Sequence, residues 1–461
     1  MKKLILIILF LYSSISYSQY SDNVRSLSMG RTGVASSYNI DALNLNPANL
    51  SLVKPKDKTR IYINGMTTGG YMMNSKFLTI DFYNKYFTGD GSGNAKYWTT
   101  ADKEDILSKS KNSELGMGLG YKFVSAAFKI PKAGVLGFSF EDKIFGKSFL
   151  PEEMLRLTLF GNEINKTYDF SQYRLELSWI RQLNISYANT SKTFLKSMFK
   201  QFAWGVSLKP QFGYYYIGIK SNDLNFSTND SAQITSHGAV TFLRSSIRPD
   251  DKIEYPGLGR LAGFGWGFDI GMNGKINERW SVGMSITDIG YMNWYGNNYE
   301  YKYAGEFVVT DLAKSEQLDS LRNLINGQKT YISAFQKMLP MTLRLGVNYK
   351  IFKNIFGVKA DSLSKELVSI SLDYIQGLSK NAAGSSTVPT IGAGAEFFLS
   401  QFFIPRIGFI AGGTEGFLVS LGAGLDTKYI LFDVGTHNIA AITDVNNASK
   451  FSFGVNLKLK L

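Results

Sequence analysis

Lys450-Phe451-Ser452-Phe453-Gly454-Val455-Asn456-Leu457-Lys458-Leu459-Lys460-Leu461 is the stretch on which the fold class turns. Phe451, Phe453, Val455, Leu457, Leu459 and Leu461 alternate with Ser452, Gly454, Asn456, Lys458 and Lys460. Successive side chains of a strand point to opposite faces, so this pattern makes one face apolar and the other polar. The run is also long enough, once tilted, to cross a bilayer as a strand.

The same device recurs upstream. Met341, Leu343, Leu345, Val347, Tyr349 and Ile351 oppose Thr342, Arg344, Gly346, Asn348 and Lys350, and Phe264, Trp266, Phe268, Ile270 and Met272 oppose Gly265, Gly267, Asp269, Gly271 and Asn273. Ile391, Ala393, Ala395, Phe397 and Leu399 form a third set; Tyr173, Leu175, Leu177, Trp179, Leu183, Ile185 and Tyr187 form a fourth. Strands are expected within 59–83 and near 115–130, 134–143, 171–189, 203–219, 262–275, 279–289, 341–351, 366–376, 389–399, 404–412, 416–425, 428–436 and 450–461. That is about fourteen, an even number, as bacterial barrels have. With the C-terminus on the periplasmic side, the long connections 84–114, 144–170, 220–261, 290–340, 377–388 and 437–449 all fall outside, and most of the others are short turns.

One soluble antiparallel sheet shows the same alternation in a single segment. The number and length of the segments point instead to an all-β transmembrane antiparallel barrel, residues 59–461. The whole chain has 461 residues, no cysteine, 14% aromatics and a mean hydropathy of −0.08, with no long apolar run after the first twenty residues. Helical spanning segments, disulfides, thiolate metal sites and a lipid-modified cysteine are thereby excluded. Met1-Lys2-Lys3, the apolar Leu4–Leu11 and Ser16-Tyr17-Ser18 read as an export signal over 1–18, and the expected address is the outer membrane of a Gram-negative bacterium. The formal charge of +13 is spread among turns and loops rather than clustered as nucleic acid would require, so the expected contact is outer-membrane lipid.

Ser28-Met29-Gly30-Arg31-Thr32-Gly33-Val34-Ala35, followed by Asp41-Ala42-Leu43-Asn44-Leu45-Asn46-Pro47-Ala48-Asn49-Leu50, resembles the N-terminal hatch of the FadL long-chain fatty-acid transporter superfamily. Relatives of that superfamily include the PorV and PorQ barrels linked to type IX secretion. Asn46, Pro47 and Ala48 are its most specific part, and Trp280 to Trp294 with Thr287-Asp288-Ile289-Gly290 resembles an uncharacterised branch of such barrels. The resemblance implies fourteen strands and a plug in the lumen, here residues 19–58. It implies a conduit or binding protein for a hydrophobic small molecule, or else an interaction barrel serving a secretion or surface-attachment system; a purely structural barrel is a third reading. Glycines on polar faces, among them Gly271, Gly283, Gly346, Gly392, Gly394 and Gly422, fit either a backbone inside the barrel or plain tolerance of glycine in twisted strands.

By this register Arg174, Glu176, Lys209, Asp269, Arg344, Lys350, Asp373, Glu396 and Arg406 face the lumen. A plug-holding ion-pair network is the favoured reading, and a carboxylate ligand held by Arg344 or Arg406 the sharper one. With only His237 and His437 and no partner motif for either, no catalytic site, metal or cofactor is expected. In 115–130 the apolar residues shift from odd to even positions at Phe123 and Val124. A bulge is expected there. With Ala126 and Ala127 it marks a candidate lateral exit, because FadL-type transporters carry a kinked strand in a comparable region. Two segments are ambiguous: 191–202 reads as a basic amphipathic turn or an ordered loop, and Asp311–Lys337 reads as a helix.

Overall fold

The structure, a computed structural model, describes residues 23–52, 61–89, 96–231, 233–248, 259–304, 307–309, 327–353, 366–379, 382, 385–400 and 402–461. The expected export signal over 1–18, the flanks of the expected hatch at 19–22 and 53–58, and Leu318, Leu321, Leu324 and Ile325 of the expected helix lie outside these residues.

Fourteen strands close into a barrel in which every neighbouring pair is antiparallel. They are β1 (Ile61–Asn74), β2 (Ser113–Ile130), β3 (Gly134–Leu150), β4 (Arg174–Ser191), β5 (Gln201–Asn222), β6 (Gly263–Lys275) and β7 (Trp280–Trp294). The other seven are β8 (Thr342–Phe352), β9 (Glu366–Gly377), β10 (Thr390–Phe397), β11 (Phe403–Gly412), β12 (Leu418–Asp426), β13 (Ile430–Thr436) and β14 (Lys450–Lys460). Pairing runs in sequence order, and β14 returns to β1: Tyr62–Asn64 face Lys458–Lys460 and Tyr71–Asn74 face Lys450–Phe453, with a register shift between the two stretches. Most connections at one end of the barrel are short turns and most at the other are long loops, the exceptions including Phe352 to Glu366 at the turn end and Gly412 to Leu418 at the loop end.

The distribution of side chains is inverted relative to a soluble protein. Leu119, Ile185, Val206, Phe268, Leu345, Leu372, Phe409 and Leu457 are exposed, whereas the alternate positions Asn184, Ser207, Lys209, Asp269, Asn348, Ser371, Asp373 and Lys458 are buried. A closed barrel satisfies its backbone without edges, so an apolar exterior and polar interior is the arrangement a bilayer selects.

The wall is uneven. β2, β3, β4 and β5 have 18, 17, 18 and 22 residues, but β10 to β13 have 8, 10, 9 and 7. The difference amounts to roughly 30 Å of strand before tilt. On the tall side the sheet continues past the barrel: β5 pairs with Ala239–Ser246, which pairs with Tyr299–Ala304, which pairs with Gln328–Tyr331. Phe335–Met338 pairs with the end of β7. The expected helix over 311–337 is thus corrected over its described part, where strand pairing to the tall wall prevails over the apolar spacing.

Above the belt, the outward face of the tall wall is covered rather than bare. Leu115, Leu150 and Tyr173 pack with Phe77, Met154, Leu155 and Leu175. Three helices, Ile80–Phe87, Thr100–Ser110 and Glu152–Phe160, share a second core of Phe82, Tyr86, Ile106, Leu107 and Leu159. The middle helix starts with a reciprocal cap between Thr99 and Asp102, which satisfies two orphan donors of its first turn.

Residue 123 carries the register change expected in β2. Lys122 pairs with Glu141 and Val124 with Phe140, so Phe123 is one extra residue. On both sides the ladders resume at once, with Lys122 facing Thr67 and Val124 facing Gly65 on β1. The bulge therefore falls within the candidate exit at Phe123, Val124, Ala126 and Ala127, and the backbone ladders of β2 run on both sides of it. Ala127 packs inward with Ile40, Leu43 and Leu50.

Candidate functional site: the occupied lumen

Residues 23–52 lie inside the barrel, and almost all of them are buried. The segment begins with a short helix, Val24–Leu27, capped by Asn23, whose side chain accepts from Ser26 N. It later turns through Pro47–Ser51, capped by Asn46. Asn46 Oδ1 accepts from Ala48 N at 3.2 Å, while its amide donates to Val34 O at 2.7 Å and Met272 O at 3.0 Å. One side chain thus ties the turn to the opposite limb of the segment and to β6. Pro47 supplies a fixed φ at the first turn position, where its missing N–H costs nothing. A Cβ on Gly205 of β5 would meet the Pro47 carbonyl carbon at 2.5 Å and Ala48 N at 2.6 Å, so the wall needs glycine where the backbone of the turn comes close.

Charge fixes the segment at several further points. Arg25 grips Glu396 through Nη2–Oε2 at 2.8 Å and Nε–Oε1 at 3.0 Å. Arg406 joins the same Glu396 at 2.8 Å and also Asp433 at 2.6 Å; Lys458 joins Asp433 at 3.0 Å and Asp41 at 2.7 Å. The result is an alternating chain, Arg25, Glu396, Arg406, Asp433, Lys458, Asp41, with three charges of each sign and both ends in the N-terminal segment. A buried charge is tolerated only when paired and hydrogen-bonded, a condition each member meets.

Other contacts spread around the wall. Asp373 Oδ2 accepts from Gly33 N at 2.7 Å and Val34 N at 2.9 Å. Asn44 donates to Glu141 at 2.6 Å and accepts from Gln182 and Asn184, each at 2.9 Å. Asn273 donates to Asn49 at 2.9 Å, and Ser285 to Leu45 O at 2.6 Å. Nearest the loops, Arg31 reaches Glu415 at 2.7 Å, with His437 3.9 Å from the same carboxylate. Burial lowers the Arg31 guanidinium from its ordinary value, against the opposing pull of Glu415. Burial also pushes the His437 imidazole down to about 4, the nearby Arg31 and Lys450 acting in the same direction and Glu415 against it.

Toward the loop end the lumen changes character. Phe145, Ile180, Tyr216, Met292, Trp294 and Leu339 converge in one buried apolar cluster. Beside it is a cavity of about 590 Å³ whose lining includes Glu114, Lys147, Arg174, Glu176, Tyr216 and Lys337. Tyr216 belongs to both and donates to Glu176 at 3.2 Å. Lys209 sits fully buried between Asp269 at 2.7 Å and Asp288 at 2.8 Å. Asp288 takes a left-handed φ of 58° at a register shift in β7, which turns its carboxylate inward.

The lumen-facing residues inferred from alternation therefore separate. Glu396 and Arg406 belong to the charge chain, Asp373 holds the segment's backbone, and Lys209 and Asp269 form a separate triad. Glu176 and Arg174 line the cavity; Arg174 is exposed and bonds the carbonyls of Ser171 and Tyr173. Arg344 is buried on β8, and Lys350 pairs with Glu366 near the turn end. Arg406 is engaged by two protein carboxylates, so the counter-ion reading does not apply to it. Among the described residues no three His, Cys, Asp or Glu side chains gather as a metal site would need.

Alternation missed Arg25, Asp41, Asp433 and Lys458 as one unit, although Lys458 stood on the polar face of the opening stretch. It also passed over Arg181 and Asp142, which face outward. They are directly paired across β3 and β4 and bonded at 2.6 and 2.9 Å. The rings of Phe123, Phe140 and Tyr214 enclose this guanidinium at 5.1, 5.6 and 5.0 Å. Phe123 and Tyr214 are the extra residues of two register shifts, so the bulges supply the cover for an ion pair on the apolar wall.

Residues 53–380 match a family described as "Family of unknown function (DUF5723)", well over half of the chain. The chain belongs to this family. No curated protein matches it. Among solved structures, the chain is similar to a Pseudomonas aeruginosa FadL homologue, at 11% identity over 97% of this chain and 98% of that one, with a TM-score of 0.46. It is also similar to the Pseudomonas putida toluene transporter TodX, at 10% identity over 97% and 98% with a TM-score of 0.42, and to the CymD monoaromatic hydrocarbon channel, at 8% over 97% and 99% with a TM-score of 0.46.

Proposed function

We propose that this family member is an outer-membrane barrel of a Gram-negative bacterium, with residues 19–58 as its hatch, and that it takes in a hydrophobic small molecule from the loop end. The observation that carries the reading is the apolar cluster of Phe145, Ile180, Tyr216, Met292, Trp294 and Leu339 beside the 590 Å³ cavity, in a lumen otherwise lined by polar groups. Small-molecule pockets combine apolar wall with placed polar groups; here Phe149, Leu175, Tyr216 and Ile219 give the cavity its apolar part, and Glu114, Lys147, Arg174, Glu176 and Lys337 its charged part. The apolar outer belt supports the membrane address, and the short turns support a periplasmic turn end.

The test is a titration of the detergent-purified barrel with the apolar fluorophore 1-N-phenylnaphthylamine. Saturable binding is expected, and Ile180→Arg should abolish it while leaving the heat-modifiable folded band. No saturable binding by the unmodified barrel, or unchanged binding by the variant, would refute the reading. A docking barrel for a secretion or surface-attachment system is the second reading, favoured by the three-helix cap on the tall wall. It predicts a co-purifying protein lost when residues 80–110 are replaced by a short loop.

A further inference from the structure

The turn joining β4 to β5 is long for its end of the barrel, and besides Thr193 and Ser197 its exposed residues are large apolar side chains and lysines. Phe194, Leu195 and Met198 are 58%, 39% and 62% exposed, and Lys192, Lys196 and Lys200 are exposed beside them. The turn is anchored rather than dangling. Phe199 occupies the space over Gly274, where a Cβ would meet its ring at 2.4 Å, Lys200 N donates to Lys275 O at 2.8 Å, and Phe194 packs on Phe202 at 5.2 Å. Although fixed in place, it leaves its apolar side chains uncovered.

The neighbouring wall shows what lies around it. Down β4 and β5 the apolar belt of Ile185 and Val206 gives way to Tyr187 and Trp204, in edge contact at 5.6 Å; on β7 and β8, Trp280 and Tyr349 meet at 4.6 Å. Aromatic rings of this kind mark the hydrocarbon boundary of membrane barrels. Beyond this girdle come cations: Lys132, Lys192, Lys196, Lys200 and Arg279 are all exposed. The single carboxylate on these three turns, Glu278, is held by Lys275 at 2.8 Å and approached by Lys200 at 3.9 Å.

We propose that this sector of the turn end is a docking surface for anionic phospholipid headgroups of the adjoining leaflet, with Phe194, Leu195 and Met198 seated at the headgroup boundary and Lys192, Lys196 and Lys200 meeting phosphates. Continuity with the lipid-facing belt and the excess of cations select this occupant over an apolar protein face. Amphipathic basic segments bind membranes through both contributions together, and each lysine adds to the attraction of an anionic surface. The inference rests on membrane insertion alone and is independent of any ligand in the lumen.

Because the chain has no cysteine, a single Ser197→Cys carries one environment-sensitive NBD fluorophore. The full-length barrel is reconstituted in vesicles of phosphatidylcholine alone or mixed with phosphatidylglycerol, and insertion is verified by heat-modifiable mobility. The expected result is a blue-shifted probe quenched severalfold more by brominated phospholipid in the anionic vesicles, an increment lost at high salt and in K192Q/K196Q/K200Q. The same probe at Ser231→Cys, among the long loops, should not respond. A water-like probe in both compositions overturns the proposal and leaves the lysines to an acidic periplasmic protein, and a composition effect that survives the triple substitution overturns it as well.

Discussion

Asp41 and Lys458 are 417 residues apart in sequence and 2.7 Å apart in space, buried together at the end of the alternating charge chain. Removing one partner of a buried pair strands the other, at about 3 to 5 kcal/mol. Lys458→Met should therefore lower the temperature at which the folded band is lost, more than Asp41→Asn does, because Asp433 still faces Lys458 in the latter. The double variant should cost less than the two single effects added; simple additivity would mean that the two do not interact.

The wall glycines give a second handle on the enclosed segment. A Cβ on Gly283 would lie 2.3 Å from Val34 O, backbone that cannot swing aside. Gly283→Ala should displace residues 33–36 while leaving the strands paired. A Ser36→Cys background should then react faster with a maleimide, with an unchanged β spectrum. Equal labelling rates would contradict the close packing.

Leu457 is 41% exposed on the lipid side, whereas Asn456 is buried and accepts from Asn64 at 2.6 Å. Leu457→Arg should cost about 2 to 4 kcal/mol if it sits near the bilayer midplane. Asn456→Ser should cost only about 1 kcal/mol, the worth of one ordinary hydrogen bond. Denaturant titrations in vesicles read both, and comparable losses would place the belt wrongly.

Arg181 and Asp142 form an ion pair on the apolar wall. Arg181→Met should be strongly destabilising, since it leaves a carboxylate facing hydrocarbon, yet R181L/D142L should be near neutral or stabilising. A double variant as unstable as the single one would show that the pair itself, and not its cover, holds the two bulges.

His437 makes the loop end sensitive to acid. Its folded value near 4 lies below the ordinary 6.5, so the unfolded or opened state binds the proton first. Stability rises with pH in that window: it is complete above about 6.5 and falls as pH drops toward about 4, by roughly 3 kcal/mol in total. The protection factor across 437–449, the observed amide exchange set against the intrinsic rate at each pH, should fall over this range, and His437→Gln should flatten the dependence. A pH-independent protection factor in the unmodified barrel would exclude the effect.

Strands were legible wherever a bilayer imposes strict alternation, as in β6, β8 and β14, because one face must be apolar along its whole length. Boundaries drifted where that pressure ends. β5 runs to Asn222 and β7 to Trp294, beyond the belt, where sheet pairing alone decides. The same physics hid Arg181, which breaks the apolar face of β4 in sequence but is covered by rings from β2, β3 and β5. Alternation assigns a side chain to a face and says nothing of its partner, so it set Lys209, Asp269, Glu396 and Arg406 on one face without showing which carboxylate holds which cation. Asp288 was invisible for another reason, since a bulge reverses its face.

The seam between β1 and β14 gives the enclosed segment a further meaning. Ile61 and Leu461 exchange two backbone hydrogen bonds, 3.1 and 2.9 Å, so the ring is completed by the last residues of the chain. Residues 23–52 are gripped from β3, β4, β6, β7, β9, β10 and β14. Wall and contents are thus fastened by the same strand: Lys458 of β14, which closes the ring on β1, also holds Asp41 of the enclosed segment, so parting that seam would loosen both at once.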